Sequence, residues 1–163
     1  AGKPAAPPQA FDDWPTLDGW QCHQASITEI TMYSVGYVHG MQIGYTGEGK
    51  RKFKADRRAV DLGKSMPTAN VMNLAEDEEI TEVVVVASEA LAPGLIGQIR
   101  IRTTHNPDGH RFGRSQDGDE QLIVTPPGMR LIAFTGCYSE AGLAQLGAVF
   151  IPRLSRGGGG DTR

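Results

Sequence analysis

The sequence predicts an all-β domain, and three observations carry that expectation. Ile99, Ile101 and Thr103 alternate with Gln98, Arg100 and Arg102, the period of two expected when one sheet face meets a core and the other meets water. Short runs of Val, Ile, Thr, Tyr and Phe recur between turn-forming residues in a chain with 21 glycines and 10 prolines, a pattern of frequent reversals. No window sustains the spacing of three or four residues that an amphipathic helix needs. At 163 residues and 39% hydrophobic content, the chain has the size of one domain able to bury a continuous core.

In order, strands are predicted at residues 26–35, 38–44, 51–55, 71–74, 79–88, 97–104, 111–113, 121–125, 129–135 and 143–152. Val83-Val84-Val85-Val86 and Ala148-Val149-Phe150-Ile151 lack alternation and read as strands covered on both faces. Asn106-Pro107-Asp108-Gly109 predicts a hairpin turn, with Pro at the second position and Gly where a positive φ is wanted. Pro126-Pro127-Gly128 predicts another tight reversal. Consecutive hairpins with few long connections describe a closed or prism-like antiparallel assembly, whose edges are protected by mutual pairing. The Ala/Pro-rich residues 1–10 and the tail 154–163 with its four consecutive glycines read as flexible segments around a folded region at 11–153.

A formal charge of −3 leaves no broad basic field, which argues against nucleic acid as a partner. No apolar run approaches the roughly 20 residues that span a bilayer, and the start lacks the charged-then-apolar order of a signal peptide. Cys22 and Cys137 are the only cysteines, so either two thiols or one bridge is open, and the compartment with it.

Other constellations are weak. His105 and His110 flank a turn containing Asp108, but no fourth ligand accompanies them and the turn alone explains the residues. Asp117-Gly118-Asp119-Glu120 lacks the longer register of a calcium loop. Lys50-Arg51-Lys52, Lys54, Arg57 and Arg58 surround Phe53 and read as a wet strand face before an anion site. There is no Gly-x-Ser-x-Gly elbow, phosphate-cradling loop or histidine zinc motif, so neither catalysis nor a cofactor or metal is expected.

The residues that carry a family resemblance are Ala10-Phe11-Asp12-Asp13, Asp18-Gly19, Ile27-Thr28-Glu29-Ile30, Glu82-Val83-Val84-Val85, Ile99-Arg100-Ile101-Arg102-Thr103, His110-Arg111-Phe112-Gly113, Pro127 through Gly136, and Leu143-Ala144-Gln145-Leu146-Gly147. In this order they resemble a jacalin-related lectin. The resemblance implies a β-prism of three antiparallel Greek-key sheets that binds sugars at one end, through an N-terminal glycine loop, a middle loop and a last loop with an Asp four residues after a Gly. This sequence departs from that pattern. Ala144 occupies the Asp position, the 137–142 loop is one residue longer, and Pro7-Pro8-Gln9-Ala10 stand where glycines are expected.

Substitute groups lie nearby in sequence. Gly136, Tyr138, Ser139 and Glu140 belong to the last loop with Ala144, while Ser88 and Glu89 belong to the middle loop. Glu140 would accept sugar hydroxyls and Tyr138 would offer a ring face, unless Glu140 is a solvated acid and Tyr138 is packing. The expected function is glycan recognition by weak sites that gain from multivalency, as in a homo-oligomer. The alternative is a β-prism that has lost its sugar site and binds a protein partner in a larger assembly.

Overall fold

Eleven strands in three antiparallel sheets make up the computed structural model, which describes residues 9–12, 26–35, 37–47, 52–54, 68–88, 94–113, 118–139 and 142–153. They are β1 (Gln9–Asp12), β2 (Ser26–Val35), β3 (Tyr37–Thr46), β4 (Lys52–Lys54), β5 (Thr68–Asn73), β6 (Ile80–Ser88), β7 (Leu95–Thr103), β8 (His110–Gly113), β9 (Glu120–Val124), β10 (Met129–Ser139) and β11 (Gly142–Pro152). The sheets have the orders β1-β10-β11, β4-β3-β2-β5 and β8-β7-β6-β9. In each four-stranded sheet the last strand returns beside the first, which is the Greek-key order. This is the all-β prism architecture expected from the sequence.

Three differences from the sequence reading are instructive. The β1 strand was not expected, since it is four residues long and begins among prolines; only Phe11 of its residues is buried. Pro126-Pro127-Gly128 does turn, with Met129 N donating to Pro126 O at 3.1 Å and Gly128 at φ 78°. It joins two sheets, however, because β9 pairs with β6 and β10 pairs with β1 and β11. The last loop is far shorter than expected. Gly136 to Ser139 are paired strand residues, and only 140–141 separate β10 from β11.

The core forms where the inner faces of the three sheets meet. Ile30, Met32, Met41 and Ile43 come from the second sheet, Val83, Ile99, Ile101 and Phe112 from the third, and Phe134 and Leu143 from the first. The alternation at 99–103 is realised, with Ile99, Ile101 and Thr103 buried and Arg100 and Arg102 half-exposed. All four valines at 83–86 are buried, as the run without alternation implied. The 148–151 run is only half-buried. Phe11 closes the first sheet against Gly136, where an added Cβ would lie 2.9 Å from its Cε1 and 2.2 Å from Gln145 O. The missing side chain at Gly136 therefore admits both the ring and the neighbouring strand.

Candidate functional site

The strands bring together, at one end of the prism, the segments the sequence singled out. Ser88 ends β6 and pairs with Leu95, while Ser139 pairs with Gly142 at the tip of the last hairpin. Between them lies a cleft of about 430 Å³ lined by Val85, Ala87, Gly94, Leu95, Ile96, Asp119, Gln121, Ala144, Gln145 and Leu146. Val85, Leu95 and Ile96 are buried and supply an apolar floor, whereas Asp119, Gln121 and Gln145 are exposed and supply polar groups above it. Ala87 N donates to Asp119 O at 3.1 Å, which ties the segment carrying that carboxylate to β6. A carboxylate and two amides over an apolar floor can accept and donate hydrogen bonds to a ring of hydroxyls while covering its C–H side.

The sequence-derived residues divide among several places. Ala144 lines the cleft. Gly136 is a packing position. Tyr138 donates its hydroxyl to Gln9 Oε1 at 2.8 Å and tilts against Phe11 at 6.2 Å between ring centroids, so its ring is half-buried packing within the first sheet. Ser139 is half-buried at the hairpin tip. The side chain of Ser88, and Glu89 and Glu140 altogether, lie outside the described residues, as do Cys22, residues 1–8 and 154–163, and most of the basic cluster. Cys137 carries a free, half-buried thiol.

Sequence reasoning missed Asp119, Gln121 and Gln145 at the cleft, and also Tyr37. An added Cβ at Gly142 would lie 3.2 Å from Tyr37 Cε2, and the Tyr37 and His39 rings lie 4.2 Å apart with a tilt of 40°. The aromatic pair beside the last turn thus comes from β3 of the second sheet. Asp119 was visible in sequence as part of an acidic turn, but nothing local to it announces which strand ends it will face.

The opposite end of the prism is a charged, tied-down cap. Arg153 grips Glu79 with two bonds of 2.6 and 2.7 Å, and Thr103 Oγ1 donates to Glu78 Oε2 at 2.5 Å. His105 Nε2 lies 3.2 Å from Asp77, whereas His110 Nε2 lies 3.3 Å from Asn70 Oδ1. The two imidazoles have separate partners, and among the described residues no group of three His, Cys, Asp or Glu side chains could hold a metal ion. Burial pushes the Arg130 guanidinium below its usual value; Glu79 pulls it back up and Arg153 pushes it down further. Among the described residues these charges are taken up by partners within the chain.

A family model, the jacalin-like lectin domain, matches residues 13–149. The chain belongs to the jacalin-like lectin family. Solved structures agree on the fold. Calystegia sepium agglutinin superposes with a TM-score of 0.69 at 13% identity, covering 93% of this chain and 95% of that one. An artocarpin–mannopentose complex gives 0.68 at 15% identity, with 90% and 92% covered. A mannose-binding jacalin-related lectin from Ananas comosus gives 0.63 at 16% identity, with 80% and 85% covered. No curated protein sequence matches the chain. At such identities the jacalin-like neighbours establish the architecture, and the ligand must be argued from this chain's own residues.

Proposed function

We propose that this jacalin-like domain is a non-enzymatic recognition module that binds a neutral glycan in the cleft between the paired ends of β6 and β7 and the start of β11. The observation that carries the reading is the cleft itself, where Asp119, Gln121 and Gln145 rim an apolar floor beside Ala144. The family's carboxylate is absent at position 144, and among the described residues Asp119, just before β9, is the acid that lines the same cleft. Its two oxygens would accept hydroxyl hydrogen bonds, the amides of Gln121 and Gln145 would orient the ring, and Leu95 would pack on its C–H face. Related structures described as mannose-binding or as mannose-oligosaccharide complexes support a hexose of that kind as the first ligand to test. With few hydrogen bonds, one site should bind weakly, and several copies should bind well.

A glycan array followed by calorimetry on the hits tests this. Asp119→Asn and Gln145→Ala should abolish or weaken the hits, whereas Tyr138→Phe should not. An array with no hits, or hits indifferent to both cleft variants, would reject the cleft as a sugar site. A second reading, a protein-interaction prism without a sugar site, is favoured by Ala144 and by Leu122 and Val124, which stand 59% and 53% exposed on edge strand β9. Exposed apolar groups on an unpaired edge are a known mode of partner capture.

A further inference from the structure

We infer that the outer face of the third sheet binds a sulfate or phosphate group between Arg100 and Arg111, at a site separate from the end cleft. The two arginines are direct cross-strand partners in the β7–β8 ladder, so their side chains leave the sheet on the same face, about 5 Å apart at Cβ. Arg102 follows Arg100 by two residues, about 7 Å further along that face. Ile99, Ile101 and Phe112 point the other way into the core, which fixes the arginine face as the outer one.

Among the described residues, no acid pairs with Arg100 or Arg111 on this half of the face. Glu82, the cross-strand partner of Arg102, takes that arginine at 2.7 Å. Among the described residues Arg100 and Arg111 have no ion pair or hydrogen bond from their side chains. Glu120, the other acid among the described strand residues of this face, stands on β9 opposite Val86, away from β7 and β8, and the nearby turn residue Asp108 makes no ion pair among the described residues. Like charges directly opposite one another destabilise a strand pair, and the chain as a whole is net negative, so the pairing is not a by-product of general basicity.

Arg100, with its neighbour Arg102, is also held in place. An added Cβ at Gly109 would lie 2.6 Å from Arg100 Cγ and 3.1 Å from Arg102 Cγ, so the 106–109 turn packs directly on both stems. The Nε atoms of Arg100 and Arg102 are buried without a partner among the described residues. Stems clamped in this way have little rotamer freedom left to lose on binding. Two guanidinium groups on neighbouring strand positions suit a tetrahedral oxyanion, because a guanidinium fork can grip such a group through two N–H groups.

The test is calorimetric titration of the full chain with inorganic sulfate, a sulfated oligosaccharide and its unsulfated parent. The sulfated saccharide should bind at least tenfold tighter than its parent at low salt, and Arg100→Gln or Arg111→Gln should each weaken it about tenfold. Arg111 is exposed, so Arg111→Gln should fold normally, and Arg111→Lys should recover only part of the affinity because the fork is lost. Competition by inorganic sulfate would show that the free group suffices; its failure alongside tight saccharide binding would show that the group is read on a sugar. Equal binding of sulfated and unsulfated saccharides, or affinity unchanged in both glutamine variants, would overturn the inference. Asp119→Asn should leave this binding intact, which separates it from the cleft.

Discussion

Gly136→Ala should destabilise the domain by about 2–4 kcal/mol, although the change adds one methyl group. The new Cβ would sit 2.2 Å from the backbone oxygen of Gln145 and 2.9 Å from the Phe11 ring, against an ordinary carbon contact of about 3.5–4.0 Å. A side chain could rotate away, but Gln145 O belongs to β11 in register with β10. Relief therefore requires parting the two strands or expelling Phe11. Overpacking of this kind costs about 1–3 kcal/mol, and partial loss of the buried Phe11 ring adds some of the about 1.5–3 kcal/mol that such burial contributes. Urea unfolding should register the change as a midpoint lowered by about 1–2 M, for an m-value near 2 kcal/mol/M. Gly128→Ala is the control, because its added Cβ meets nothing within 4 Å and only its φ of 78° is unfavourable; it should cost about 1 kcal/mol. A Gly136→Ala midpoint within error of wild type, or one shifted less than that of Gly128→Ala, would refute the close-packing account of the first sheet.

Phe134→Ala, which removes a fully buried ring from the first sheet, should cost about 3–5 kcal/mol, measured in the same urea titrations. Arg153→Ala breaks a bidentate pair with Glu79, but its side chain is 53% exposed, so the loss should stay below about 1 kcal/mol and shrink further in high salt. Cys137 should be alkylated without prior reduction, as seen by a mass increase on the peptide that contains it; labelling that appears only after reductant would mean that the thiol is bridged. Gly109→Ala should cost stability through its φ of 94° and its contact with the Arg100 stem, and it should also weaken the sulfated-saccharide binding by displacing Arg100.

Much of the architecture was legible because it rests on local chemistry. The alternation at Gln98–Thr103 places Ile99 and Ile101 inward whatever the third sheet packs against, and Asn106-Pro107-Asp108-Gly109 encodes its own reversal, with Gly109 N donating to Asn106 O at 3.2 Å. By contrast, β1 is too short to show a period, and it is a strand because Phe11 finds the gap at Gly136 more than a hundred residues later. By sequence Tyr138 is open between a ring offered to a sugar and packing, and its contacts with Gln9 and Phe11 make it packing.

The sequence by itself determined most of the strands, the reversals and the family, since each follows from residue type over a few positions or from the order of short motifs. Only the tertiary structure decided which groups share a surface. Asp119 and Ala144 line one cleft, and Arg100 stands opposite Arg111, because strand register and sheet closure set those neighbours. Period-two alternation assigns a residue to a face of its own sheet, but it carries no information about which distant strand end will lie beside it.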